Sequence, residues 1–209
     1  LLTAKPGGRR AFKGALLVLA VAFGFFAAAQ PQYGRGTRII PATNLDVIVA
    51  LDYSKSMHAR DVKPSRTARA KTEVAQLIAD LPGARFAAVA FAGEPMAFPM
   101  TSDGGAVAQF FRQLSPNDMP VGGTAIARAL EASRDLVARD PLSKTHKKVI
   151  VLVTDGEDLE GDPVGVAEAA ARDGVTIHVV QIGGRTPEAL PEVSEAGEIT
   201  GWRTDSEGK

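Results

Sequence analysis

The sequence contains no cysteine, which excludes disulfides, thiolate metal sites and a cysteine nucleophile. That absence leaves the compartment open, because disulfide-free proteins occur on both sides of a membrane. Net charge is missing as well: 24 Lys and Arg balance 24 Asp and Glu, so no global field draws the chain to nucleic acid, and no nucleic-acid binding is expected. There is no P-loop, no Rossmann glycine fingerprint and no G-x-S-x-G elbow. The chain has no internal repeat. Its three histidines, His58, His146 and His178, are scattered rather than set at ligand spacing, and His178, inside an apolar run, reads as a hydrogen-bonded strand residue. The single Trp202 carries little information beyond a ring that could cover a sheet end.

Long hydrophobic runs are also absent, with one exception. Gly14 to Ala29 is uncharged and roughly 16 residues long, just under the usual spanning length, and Phe12 with the stem of Lys13 extends it. Lys5, Arg9, Arg10 and Lys13 precede it. We read a transmembrane helix over residues 12–29; a cleaved secretory signal, with Ala27-Ala28-Ala29 as the small-residue site, is the competing reading. A buried core helix is disfavoured by the all-round apolar surface. Either membrane reading keeps the basic N-terminus in the cytoplasm and puts everything after the span outside it. Residues 30–43 are rich in Pro, Gly and Arg, as in a linker, so we divide the chain into residues 1–43 and a folded domain over residues 44–209.

What is present in that domain is a regular alternation. The runs VIVAL (47–51), FAAVAFA (86–92), VIVLV (149–153) and VTIHVVQI (175–182) lack strict polar alternation, as expected of strands covered on both faces. Between them lie segments of helical period carrying Ala70, Val74 and Leu77; Val107, Phe111 and Leu114; and Ile126, Ala129, Leu130 and Val137. A further helix runs from Pro163 to Asp173, with Asp162 as N-cap and Gly174 past its end. The short MAFPM (96–100) contains Pro99 and belongs at an edge, antiparallel to the 86–92 strand. The expected fold is a doubly wound α/β domain, its sheet mostly parallel with helices on both faces.

In such a sheet, ligands bind at the loops leaving the carboxyl ends of the strands. Three of those loops are rich in oxygen donors: Asp52-Tyr53-Ser54-Lys55-Ser56, Gly122-Gly123-Thr124 and Thr154-Asp155-Gly156-Glu157. The i, i+2, i+4 spacing of Asp52, Ser54 and Ser56 lets one loop turn three oxygens toward a point, which suits a hard divalent cation. Mg²⁺ fits this set, and Mn²⁺ or Ca²⁺ could also accept it. Each residue also has a plainer reading. Ser54 and Ser56 serve as turn or cap residues, Thr124 as the N-cap of the following helix, and Asp155-Gly156 as a turn pair, with Glu157 left solvated.

Together these motifs resemble the metal-ion-dependent adhesion site of von Willebrand factor type A (VWA) domains: D-x-S-x-S at Asp52, Ser54 and Ser56, the Thr of GGT at Thr124, and the Asp of TDGE at Asp155. The resemblance covers about residues 44 to 183. It implies that Ser54, Ser56 and Thr124 coordinate the metal directly, that Asp52 and Asp155 act largely through water, and that an acidic residue of a protein partner fills the remaining position. The wider layout, from the basic N-terminus through LDVIVALDYSKSM to GGTAIARALEAS, resembles the bacterial aerotolerance (Bat-type) membrane proteins, whose VWA domain faces the periplasm. Members of that group usually carry a further transmembrane segment, for which this sequence has no counterpart. The expected function is metal-dependent protein binding in the cell envelope and not catalysis. A Mg²⁺-dependent phosphohydrolase or phosphotransferase is the alternative from another class, although the second carboxylate that aspartyl-phosphate chemistry usually wants is replaced here by Ser54. A purely structural metal is the third reading.

Overall fold

The computed structural model describes residues 7–29, 43–156, 161–184, 191–193 and 199–202. The chain divides into two units, residues 1–39 and 40–209. In the first, the apolar run forms helix α1 (Gly7–Ala28). Its Gly8–Ala28 stretch is 21 residues with mean hydropathy 2.1, and none of it is buried. It is long and apolar enough to cross a membrane.

In the second unit the predicted strands and helices alternate in the expected order: β1 (Leu45–Asp52), α2 (Arg66–Asp80), β2 (Arg85–Phe91), β3 (Pro95–Thr101), α3 (Gly104–Gln113), α4 (Ile126–Arg139), β4 (Lys147–Thr154), α5 (Pro163–Arg172) and β5 (Val175–Gln181). The sheet order is β3-β2-β1-β4-β5. Pairing is parallel except between β2 and β3, so the Pro-containing strand lies antiparallel at an edge, as its sequence requires. A separate antiparallel hairpin joins β6 (Pro191–Val193) to β7 (Ile199–Trp202). The linker, residues 30–42, lies outside the described residues, as does Glu157.

Period-2 geometry sends alternate residues of β1 to opposite faces, and both faces are apolar. Val47, Val49 and Leu51 meet Ala70 and Val74 of α2 and Val107 and Phe111 of α3. Ile48 and Ala50 meet Ile126, Ala129, Leu130 and Val137 of α4 and Ala170 of α5. The fold is thus the doubly wound α/β arrangement. Asp162 caps α5 by accepting the Gly165 N–H, and Gly174 follows at φ +72°.

β5 departs from expectation. Val179 is 63% exposed and Val180 42%, so this strand is not covered on both faces among the described residues. His178 is a strand residue as expected, paired with Val151 and exposed, and Trp202 is exposed on its hairpin rather than covering the sheet. An apolar sequence run therefore misreads an edge strand as an interior one, because hydropathy records composition and not what packs against it.

Candidate metal centre

The parallel register aligns the strand ends. Asp52 of β1 lies beside Phe91 of β2, and Thr154 of β4 beside Gln181 of β5. Immediately past β1 the chain turns: the Tyr53 N–H donates to the Phe91 carbonyl at 2.7 Å, extending the ladder by one residue. A short 3₁₀ turn over Lys55–His58 then carries Ser56 back beside Ser54. The two hydroxyls are 2.9 Å apart, and both are buried. Ser54 starts the turn but makes no side-chain capping bond, so its oxygen is spent on Ser56 and not on the backbone.

Asp52 is fully buried, and its two oxygens accept from neutral donors: the Ser54 N–H at 2.7 Å and the Thr154 hydroxyl at 2.7 Å. Burial lifts its carboxyl from 3.8 to about 6; hydrogen bonds from the Ser54 backbone and side chain and from Thr154 oppose that rise, and the nearby Asp155 adds to it. An acid buried among hydroxyls in this way gains from a cation as counter-charge. The donor chemistry, oxygen only with two carboxylates and several hydroxyls, suits a hard divalent ion. Among the described residues, this site included, no group of three or more His, Asp or Glu gathers in a way that could hold a metal, so a cation here would depend on the hydroxyls beside its two carboxylates.

Asp155 follows β4 directly and is drawn toward the same end of the sheet. Its Oδ2 accepts from Arg66 Nη1 at 3.0 Å, and Gly156 turns the chain away at φ +92°. Thr124 is buried on the loop that leans on the end of β2, where the Ala125 N–H donates to the Ala92 carbonyl and the Gly93 N–H to the Val121 carbonyl. It is not the N-cap of α4. That position is Ala125, which makes no side-chain cap, so the capping reading of Thr124 is set aside. The structure thus joins Asp52, Ser54 and Ser56 in one bonded cluster, sets Asp155 at the neighbouring strand end, and holds Thr124 on the loop stacked beyond β2.

Four participants escaped the sequence reading. Thr154 was legible in hindsight as the residue beside Asp155, in register to reach across to β1. Gly93 is required by contact: a Cβ there would collide with the Gly122 carbonyl and the Val121 side chain. Arg66 and Asp61 gave no signal, because Arg66 meets Asp155 across 89 residues of sequence.

At the other end of β1 the fully buried Asp46 accepts from Ser143, lies 2.9 Å from His146 Nδ1 and 3.5 Å from Arg85 Nη1. Here serine and histidine both bind the carboxylate and not one another, so the cluster braces the sheet and presents no activated nucleophile.

Comparison with known proteins agrees with the fold. An aerotolerance-related membrane protein from Bacteroides fragilis is 32% identical, with TM-score 0.67 and 79% coverage of each chain. The conserved hypothetical protein BatB from Bacteroides thetaiotaomicron is 35% identical, with TM-score 0.67, covering 78% of this chain and 77% of that one. A UPF0353 protein of Mycobacterium tuberculosis is 30% identical over 201 residues, covering 91% of this chain and 58% of that protein. The chain spans about half the length of the curated relatives it matches. The family model described as von Willebrand factor type A domain matches residues 47–157, more than half of the sequence. On this match, and on its likeness to the two Bacteroides structures, the chain belongs to the von Willebrand factor type A domain family.

Proposed function

We propose that this domain binds a divalent cation, Mg²⁺ foremost, through Asp52, Ser54, Ser56, Thr124 and Asp155, and uses it to capture an acidic residue of a protein partner. The observation that carries the reading is Asp52: a fully buried carboxylate with only neutral hydrogen-bond donors, its affinity for a proton raised, beside the paired hydroxyls of Ser54 and Ser56. When bound, the metal would supply positive charge and an exchangeable position for a carboxylate. Ser54, Ser56 and Thr124 would give neutral oxygens, which leave more of that positive charge for the partner than an all-carboxylate cage does. Asp52 would orient the first loop through the Ser54 N–H and tie it to β4 through Thr154.

Residues 1–43 serve in this reading as basic terminus, inner-membrane span and linker, with residues 44–209 as the domain on the periplasmic side. The domain is a binding module and not an enzyme, assembling complexes in the bacterial envelope. Support comes from the long apolar run of α1 and from the Bacteroides fragilis neighbour, itself described as a membrane protein.

Crosslinking of the membrane-resident chain, with and without a chelator, tests the reading. A partner should be captured with Mg²⁺, lost with chelator and lost in Asp52→Ala. Capture that survives both treatments rejects metal bridging. Ser56→Ala separates the structural-metal alternative, which predicts lost thermal stability with capture intact. Metal-dependent phosphate release abolished by Asp52→Asn would instead establish the hydrolase alternative.

A further inference from the structure

Arg66, the first residue of α2, is an unusual neighbour for a cation site. Its side chain is only 13% exposed. Nε and Nη2 fork onto the two oxygens of Asp61, both at 2.9 Å, while Nη1 reaches Asp155 Oδ2 at 3.0 Å. The side chains of Asp61 and Asp155 are 4% and 2% exposed. Asp61 is itself fixed, accepting from the Val62 and Gly184 N–H groups. Gly183 lies so close over the guanidinium that a Cβ there would come within 3.4 Å of its Cζ. A bidentate pair of this kind sets the plane of the fork, so Nη1 is aimed at Asp155 by the Asp61 clamp rather than by chance.

A guanidinium N–H placed there opposes metal binding through Asp155. It takes one oxygen of Asp155 and offsets part of its charge, while Asp61 balances the rest of the guanidinium, so the effect on a nearby divalent ion runs through that one charge-assisted hydrogen bond. An outer-shell group that accepts a hydrogen bond from a histidine ligand makes that ligand more basic; Arg66 instead donates to a carboxylate and makes Asp155 less so. A site selected only to hold its ion tightly would do better without it. We propose that Arg66 is a positioning residue that withholds part of the Asp155 charge from the bound cation, trading metal affinity for attraction toward a partner carboxylate. This rests on the metal-binding reading above.

The test uses the full chain in detergent, with Mn²⁺ as the metal probe and acetate as the carboxylate probe. Arg66→Met combined with Asp61→Asn removes the buried pair as a unit, without stranding Asp61 and without changing the net charge, so that the change read is the loss of the Arg66 bond to Asp155. Titration calorimetry should show Mn²⁺ binding about threefold tighter than in the unmodified chain, a fraction of what a hydrogen bond to a charged group is worth. Water-proton relaxation of the bound Mn²⁺ should show that more acetate is needed for half-displacement of water. A role confined to holding the fold would change the thermal midpoint without either effect. If the double variant lacks cooperative unfolding, Arg66→Lys decides, since its one ammonium can serve Asp61 and release Asp155. Equal or weaker Mn²⁺ binding in the variant that folds overturns the proposal while leaving the metal reading in place. No Mn²⁺ binding by the unmodified chain overturns both.

Discussion

Replacing Asp52 by Asn should stabilise the metal-free domain while abolishing its response to metal. Burial raises this carboxyl from 3.8 to about 6 in the folded chain, and the unfolded chain keeps the ordinary value. As pH rises through about 4 the unfolded state ionises while the folded state does not, so stability falls; the fall ends once pH passes about 6. The gap corresponds to about 3 kcal/mol lost above pH 6 relative to pH 4. Full burial of Asp52 leaves little room for solvent to screen that cost. Asn keeps an oxygen for the Ser54 N–H and offers an amide to Thr154 Oγ1, so the loop retains its bonds while losing the charge. Other groups titrate in this range, notably His58, whose burial lowers its pKa and gives the opposite slope, so the measured quantity is the difference between the two chains. With chelator at pH 8, Asp52→Asn should exceed the unmodified chain by up to about 3 kcal/mol, or roughly 6 to 12 °C in a domain of this size. Near pH 4 the difference should vanish. Mg²⁺ at a hundredfold over its Kd should then raise the unmodified chain by about 2.7 kcal/mol and leave the variant unmoved. Denaturant unfolding over pH 4 to 8, with chelator and with Mg²⁺, reads all of this. A variant less stable than its parent at pH 8 in chelator would refute the account of Asp52 as a poised counter-charge.

Three further outcomes follow from other parts of the fold. Gly93→Ala drives a methyl group into the Gly122 carbonyl and Val121, so it should cost about 1–3 kcal/mol and displace the Thr124 loop, weakening Mg²⁺ binding measured by calorimetry. Asp46→Ala strips the partner from Ser143, His146 and Arg85 and should cost about 3–5 kcal/mol in denaturant unfolding. Its Mg²⁺ affinity should stay unchanged, because the cluster lies at the far end of β1. Deleting residues 7–28 should release the chain from membranes resistant to alkaline extraction, measured by fractionation, since no other described helix is long and apolar enough to span.

The strands and helices were legible because each had a signal of its own: apolar runs for β1 and β4, helical spacing in α2 and α4, and the Asp162, Pro163 and Gly174 markers for α5. The antiparallel edge position of β3 followed from one proline, which cannot donate to a ladder. The motif residues were legible because three loops carried the same oxygen chemistry. What bound them together was not. Thr154 reaches Asp52 across 102 residues, and Arg66 reaches Asp155 across 89, by contacts that no local spacing encodes. Exposure of β5 was equally hidden, since a valine-rich strand reads alike whether or not something packs on it. Thr124 was misjudged as a cap because local capping preference ignores the loop docking that shifts α4 to begin one residue later.

The central place of β1 has a consequence for how the chain matures. It pairs with β2, some 40 residues on, and with β4, about 100 residues on, so neither flank can be completed from local contacts. Contacts of such separation form late, after the entropy of closing long loops has been met, and folding of this topology is correspondingly slow. The Asp52–Thr154 bond needs both strands in register, so a nascent or misfolded chain cannot assemble these oxygens. On the metal-binding reading proposed above, the loops at the sheet end would therefore act as a checkpoint, with only a finished domain competent to bind.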